Sequence, residues 1–163
     1  MFNQITYNQP KTPAIFSALT LGNDATVETA YGPLSFVSYF DLVVKNGDAG
    51  KHPFHLHGHK PMLVNRAENY TSTDVTLNPP VPNNLTNPMR RDTFHIPSGA
   101  SATLRFVSDN PGVWFFHCHI EWHLEAGLAL QIVEAPLEAQ KYVNNVSQAM
   151  RDNCQSPWKT KLK

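Results

Sequence analysis

The sequence predicts an all-β sandwich or Greek-key barrel that ends in a short helix, on three observations. Thirteen prolines, eight glycines and frequent Asn and Asp cut the chain into short apolar runs. Several of those runs alternate with the period of two that half-buried strands show. Only after Pro136 does the spacing turn helical. At 163 residues the chain has one domain's length, enough to bury a core. Hydrophobic residues make up 41% and charged ones 16%, which argues against disorder. Thirteen basic side chains balance thirteen acidic ones, so no net field draws the chain to nucleic acid or anionic lipid.

Taken in order, the run from Leu34 to Lys45 is apolar with partial alternation at Phe36, Phe40, Leu42 and Val44, and reads as one strand closing at the turn pair Asn46-Gly47. A second strand is expected from His55 through Met62, Leu63 and Val64. The stretch from Ala67 to Asn87 is rich in Asn, Thr and Pro, too polar for a core and too long for a hairpin turn, and reads as a surface excursion. Thr93 to Ile96 and Ala102 to Val107 are strands bounded by Pro97-Ser98-Gly99 and Asp109-Asn110-Pro111-Gly112, followed by Val113 to His119 and Leu128 to Val133. Ala139, Tyr142, Val143, Val146, Ala149 and Met150 recur at helical spacing, predicting an amphipathic helix over 137–153. No apolar run approaches the roughly 18 residues of a membrane-spanning helix. The start, Met1-Phe2-Asn3-Gln4-Ile5, has neither the basic residues nor the apolar segment of a signal peptide.

Seven of the eight histidines fall in two short windows, His52-Pro53-Phe54-His55-Leu56-His57-Gly58-His59 and His117-Cys118-His119-Ile120-Glu121-Trp122-His123. If residues 113–119 form a strand, alternation sends Cys118 to one face and both His117 and His119 to the other. One strand then serves a metal site on each side. A lone cysteine with imidazoles and no Cys-x-x-Cys partner suits structural zinc poorly, whereas two His, one Cys and a weak axial group describe a blue-copper centre. We assign His52, Cys118 and His123 to a mononuclear copper, and His55, His57, His117 and His119 to a copper cluster. His59 and His95 are left without a ligand role, His59 at most supporting a neighbouring ligand. Trp114, Phe115 and Phe116 read as core packing. Cys154 reads as an unpaired thiol or as one half of a disulfide to a partner outside this chain.

These paired windows resemble the C-terminal copper signatures of the multicopper oxidases, the laccase and fungal ferroxidase family. The similarity extends to Asn87-Pro88-Met89-Arg90-Arg91-Asp92-Thr93 and Asp109-Asn110-Pro111-Gly112-Val113-Trp114, and so to nearly the whole chain. It implies a cupredoxin-like fold, with residues 1–163 as the last, third domain and the N-terminal domains absent. It further implies a complete type 1 site, His55 on the type 2 copper, and His57, His117 and His119 on the type 3 pair. The axial position of the type 1 site falls on Leu128, which cannot ligate and so implies a fairly high potential. The family's cluster draws its remaining histidines from an N-terminal domain, and this sequence supplies only half of the set. The tail cysteine of laccases bonds to the first domain, which would give Cys154 its partner.

For the intact enzyme the resemblance implies one-electron oxidations at the type 1 copper coupled to four-electron reduction of dioxygen to water at the cluster. The isolated chain is expected to be inactive in oxygen chemistry unless the missing domains, or a second copy, complete the cluster. Two carboxylates stand out. Glu121 sits where related ferroxidases place an acid proposed to pass protons to the cluster, or is a solvated loop acid. Asp48 sits where iron-uptake ferroxidases carry an acid that helps bind ferrous iron, or is a turn aspartate after Asn46-Gly47. A hard carboxylate beside His52 favours Fe2+ slightly over phenols as the reductant. The alternatives are a phenol-oxidising laccase and a blue-copper electron-transfer module without oxygen chemistry. Sequons at Asn69, Asn84 and Asn145, together with the family's habit, favour an extracellular or cell-surface glycoprotein parent.

Overall fold

The structure is a computed structural model and describes residues 1–10, 13–21, 30–68 and 86–155. Eight strands are described in two sheets: β1 (Ala30–Leu34), β2 (Tyr39–Lys45), β3 (His52–Leu56), β4 (Met62–Ala67), β5 (Thr93–Ile96), β6 (Ser101–Val107), β7 (Gly112–Cys118) and β8 (Ala129–Glu134). The first sheet has the order β1-β8-β7-β3-β5, the second β2-β6-β4. All pairs are antiparallel except β1 with β8, which is parallel. The expected two-sheet β architecture is therefore the observed one.

The core lies between the sheets. Phe54, Leu56, Phe94, Ile96, Phe116, Cys118, Leu130 and Ile132 enter from the first sheet and Val44, Ala102, Leu104 and Phe106 from the second. On β2 the inward residues Leu42 and Val44 alternate with Tyr39, Asp41, Val43 and Lys45 on the outside. Outside, Asp41 holds Arg105 of the paired strand in a two-pronged ion pair at 2.7 and 2.8 Å. At one end the Phe2 ring lies tilted, 5.5 Å from both Phe54 and Phe116.

The connections depart from the sequence reading. The run Leu34 to Lys45 is not one strand: the chain turns over Ser35–Ser38, where Ser108 accepts the Ser38 N–H at 3.1 Å and bonds the Ser35 carbonyl. Nor does one strand run from His55 to Val64, because a turn at His57-Gly58 carries the chain from the first sheet to the second. The strand does close before Asn46-Gly47, as expected, and the chain then crosses to the other sheet. Asn46 is buried, and its amide reaches the carbonyls of Gly50, Ile96 and Pro97 at 2.7, 3.1 and 3.0 Å, pinning a wider loop between the sheets.

The helix expected over 137–153 is broken into α3 (Pro136–Ala139), a 3-10 segment Gln140–Asn145, and α4 (Gln148–Gln155). Ser147 accepts the Met150 N–H at 3.2 Å, starting the last piece afresh. Two further helices went unforeseen. One is α1 (Ala14–Leu21), which buries Ala14 and Ala18 one turn apart; the other is the five-residue α2 (Glu121–Glu125). Most of the Ala67 to Asn87 excursion, with Asn69 and Asn84, lies outside the described residues, as do the side chains of Asn145 and Cys154.

Candidate metal centre

The β3–β7 register builds both sites. It sets Phe54 opposite Cys118 and His55 opposite His117, so the two faces of this strand pair carry different chemistry. Cys118 points into the core and is fully buried; His52, at the start of β3, is 4% exposed. His123 arrives from α2, whose return is held by three backbone bonds: His123 N–H to Ile120 O, Leu128 N–H to His123 O, and Cys118 N–H to Leu128 O. Gly127 makes that return possible. At φ +88 its missing Cβ would lie 2.4 Å from Thr6 Cγ2 and 3.0 Å from the Tyr7 backbone, which donates its N–H to Gly127 O.

His52 Nδ1 and His123 Nδ1 lie 3.1 Å apart, and Cys118 Sγ lies 3.5 Å from each. A point equidistant from these three atoms is about 2 Å from each, the length of a metal–nitrogen bond. The donor set, two imidazoles and a thiol in an apolar surrounding, suits copper, the soft sulfur giving the selectivity. Burial pushes the Cys118 thiol's pKa up, so the thiolate needs a bound cation to form. Leu128 packs on the core cluster that contains Cys118 and accepts the Cys118 N–H at its carbonyl.

The far nitrogen of His52 faces Asp48: Nε2 lies 2.9 Å from Asp48 Oδ2. That contact leaves Nδ1 to face Cys118 and His123. Asp48 also accepts the Ala49 N–H at 2.8 Å, and its own N–H bonds Asn46 Oδ1 at 3.0 Å. The turn role and the contact with His52 thus coexist. The hydrogen bond from His52, then the one from Ala49, lowers its carboxyl pKa.

On the opposite face, the ligand atoms of His55, His57 and His117 lie within 4.8 Å of one another. His57 Nε2 is 3.1 Å from His117 Nε2, and the His119 ring centre is 5.6 Å from that of His117 and 5.8 Å from that of His55. Each inner ring is oriented from behind. His117 Nδ1 donates to Cys118 O at 2.9 Å, while His55 Nδ1 shares its proton between Asp92 O at 3.0 Å and Thr93 Oγ1 at 3.1 Å. Both are thereby left with Nε2 for a metal. Burial, and then the neighbouring imidazoles, lowers the pKa of His57; burial is likewise the main cause for His117. The face is open, with His57 and His119 exposed.

Glu121 is exposed at the start of α2; its charge raises the His117 pKa against the larger effect of burial. His95 is exposed on β5 opposite Pro53. Phe116 is fully buried in the core and Trp114 half-buried against it, as core packing requires, whereas Phe115 lies on the histidine side, its ring 5.1 Å from Tyr7 and 5.0 Å from His117. Sequence reasoning missed three supports: Thr93 and the Asp92 carbonyl behind His55, Asn46 behind the Asp48 loop, and Glu134 beside His59. Glu134 and the Asp92-Thr93 pair act across strands and have no local signal, while Asn46 bonds Asp48 and Gly50 nearby but also Ile96 and Pro97 fifty residues on.

The family model described as multicopper oxidase matches residues 3–138. The chain belongs to the multicopper oxidase family, whose metal is copper. It is 47% identical over 161 residues to the iron multicopper oxidase fer1 of Mycosarcoma maydis, covering 95% of this chain and 26% of that protein. It is 44% identical over 166 residues to the iron transport multicopper oxidase FET3 of Kluyveromyces lactis, covering 93% and 25%. Among solved structures, Fet3p, a multicopper oxidase that functions in iron import, matches with a TM-score of 0.73 at 38% identity over 95% of this chain and 32% of that one. A mutant of the laccase from B. aclada matches with 0.74 at 26% identity, over 94% and 28%. The chain thus spans about a quarter of the length of the curated relatives it matches.

Proposed function

We propose that this chain is the C-terminal, third cupredoxin-like domain of a copper oxidase that takes single electrons at His52, Cys118 and His123 and delivers them to dioxygen at a cluster begun by His55, His57, His117 and His119. The observation that carries the reading is the convergence of His52 Nδ1, His123 Nδ1 and Cys118 Sγ within 3.5 Å. Copper, when bound, supplies the one-electron redox couple at both places.

The protein's part is position and path. Cys118 reaches the second face through its own backbone, flanked by His117 and His119. A shorter branch crosses the hydrogen bond from His117 Nδ1 to the Cys118 carbonyl. Leu128, packed on the core next to Cys118, would offer a bound copper no further donor atom, which favours a high potential. Phe54, with its ring 5.8 Å from that of His52, keeps the buried side dry.

Ferrous iron is the favoured reductant. Asp48 offers a hard oxygen ligand in direct contact with His52, and two of the relatives named above are an iron multicopper oxidase and an iron transport multicopper oxidase. Glu121, near the histidine face, is the candidate proton carrier. Completion of the cluster falls to the neighbouring domains of the relatives' longer chains, or to another copy. The parent belongs outside the cell or at its surface. No helix of the described residues is long and apolar enough to cross a membrane.

A second reading is supported by the completeness of one site beside the openness of the other: alone, the chain works as a blue-copper module that carries electrons without reducing oxygen. Copper loading of the purified chain, with a metal count and a visible spectrum, tests the common ground. A thiolate-to-copper band at one copper per chain that vanishes in Cys118→Ser is the expected result; a folded chain without the band refutes the site. Oxygen uptake by the loaded chain would overturn the second reading.

A further inference from the structure

We infer that Glu134, acting through His59, is a positioning residue for the histidine face, holding the turn His57-Gly58-His59 so that the His57 ring stays against His117. This rests on the reading of that face as half of a copper cluster.

Glu134 ends β8 with its carboxylate fully buried, and a charge in that position is costly unless it is paired. One oxygen, Oε1, accepts the Asn110 N–H at 2.7 Å. The other, Oε2, lies 2.8 Å from His59 Nε2, in a side chain only 5% exposed. The opposite nitrogen of the same ring, Nδ1, donates to the carbonyl of His57 at 3.1 Å. His59 is therefore a strut between a buried anion and the backbone of the residue that carries His57.

The rest of the turn is held from the same side. The Asn110 amide donates to Gly58 O at 3.0 Å, and the Trp114 indole N–H donates to Asn110 O at 2.7 Å. The Trp114 ring occupies the space a Gly58 side chain would need, 2.5 Å from an ideal Cβ. His57 N–H donates to Phe115 O at 2.9 Å. Both carbonyls of His57-Gly58 are thus used, and the only side chain of the turn left exposed is the His57 ring. A buried ion pair is a weak way to gain stability over an apolar pair of equal size. What this one provides is a fixed distance between β8 and the His57 carbonyl.

Glu134→Gln keeps the size and the acceptor for Asn110 while removing the charge facing His59; His59→Gln is the companion variant. With Cu2+ alone as the probe, the wild-type chain is expected to hold one copper at the thiolate site and a second at the histidine face, separated by metal count and paramagnetic resonance. Either variant should keep the visible thiolate band, Glu134→Gln with nearly the wild-type thermal midpoint and His59→Gln with a lower one because it leaves the buried carboxylate without its partner, yet both should lose about 10–100-fold in affinity for the second copper. In the metal-free chain, ring and amide NMR signals of His57 and Gly58 should shift and broaden while those of His52 and His123 stay put. Unmoved His57 signals with unchanged second-copper affinity overturn the inference. An equal loss at both sites that follows the thermal midpoint does so too, because that is general destabilisation. A wild-type chain that takes only one copper would instead overturn the half-cluster reading, and the metal-free His57 signals would still decide the role of Glu134.

Discussion

Asp48 Oδ2 stands 2.9 Å from Nε2 of His52, on the side of the ring opposite Cys118. A carboxylate there draws on the ring proton and makes the other nitrogen a better donor, which favours Cu(II) over Cu(I). Asp48→Ala is expected to raise the potential of the site with band shape and copper count preserved, followed by redox titration of the visible band. If Asp48 also receives ferrous iron, the complete enzyme should oxidise Fe2+ more slowly despite the higher potential. A variant whose iron oxidation speeds up in step with the potential would show that the carboxylate acts only electronically.

Asn46→Ala should cost more than a surface change. The substitution strips the Gly50, Ile96 and Pro97 carbonyls of their shared donor in a buried place and releases the Asp48 N–H. The expected loss is about 1–3 kcal/mol in denaturant unfolding, with a weakened hold on copper at His52. A loss below a few tenths would mean that water takes over the amide's contacts.

The histidines should titrate in opposite directions. His57 and His117 have pKa values lowered from 6.5, chiefly by burial. In His59 burial also opposes the charge, but the Glu134 carboxylate, 2.8 Å from Nε2, and the His57 carbonyl together outweigh it and the pKa is raised. The unfolded chain takes up the His57 and His117 protons first, so their contribution to stability is present above pH 6.5 and is lost as the pH falls through the lowered folded values. His59 contributes below pH 6.5, and that contribution is lost as the pH rises through its raised value. Copper at the histidine face competes with protons and should weaken on the acid side of the lowered values. Histidine NMR across the pH range reads each ring; His57 titrating above His59 would contradict the assignment.

Gly58→Ala combines a strained backbone with a clash. At φ +72 an alanine is disfavoured, and its Cβ would fall 2.5 Å from the Trp114 ring. Overpacking of this kind costs about 1–3 kcal/mol. Trp114 fluorescence should shift and the second copper should be lost before the first. Gly127→Ala serves as a control, since its clash with Thr6 and Tyr7 falls near His123 and should disturb the first copper instead.

The two histidine windows were legible because a strand exposes its faces by simple alternation, and His117-Cys118-His119 divides them without help from the rest of the chain. The strands after Asp92 were legible for the same reason, Thr93–Ile96 matching in both bounds. Where side chains from elsewhere decide, the reading failed. Ser108 turns the chain at Ser35–Ser38, and Ser147 restarts the last helix, so periodicity in Phe36 or Tyr142 pointed to continuity that contacts from other segments interrupt. The parallel pairing of β1 with β8, and the burial of Glu134 beside His59, join residues with no common local pattern.

The β3–β7 pairing has a consequence for how such a domain can change length. Phe54 faces Cys118 and His55 faces His117, and successive residues on a strand point to opposite faces. Inserting or deleting one residue within either strand would exchange the two faces, bringing an imidazole to the thiol's side and a phenyl ring to the histidines' side. Gaps between homologous chains should therefore be excluded from these two strands and gather in the connections, and a single-residue shift engineered into β7 should abolish both colour and cluster while leaving the β content intact.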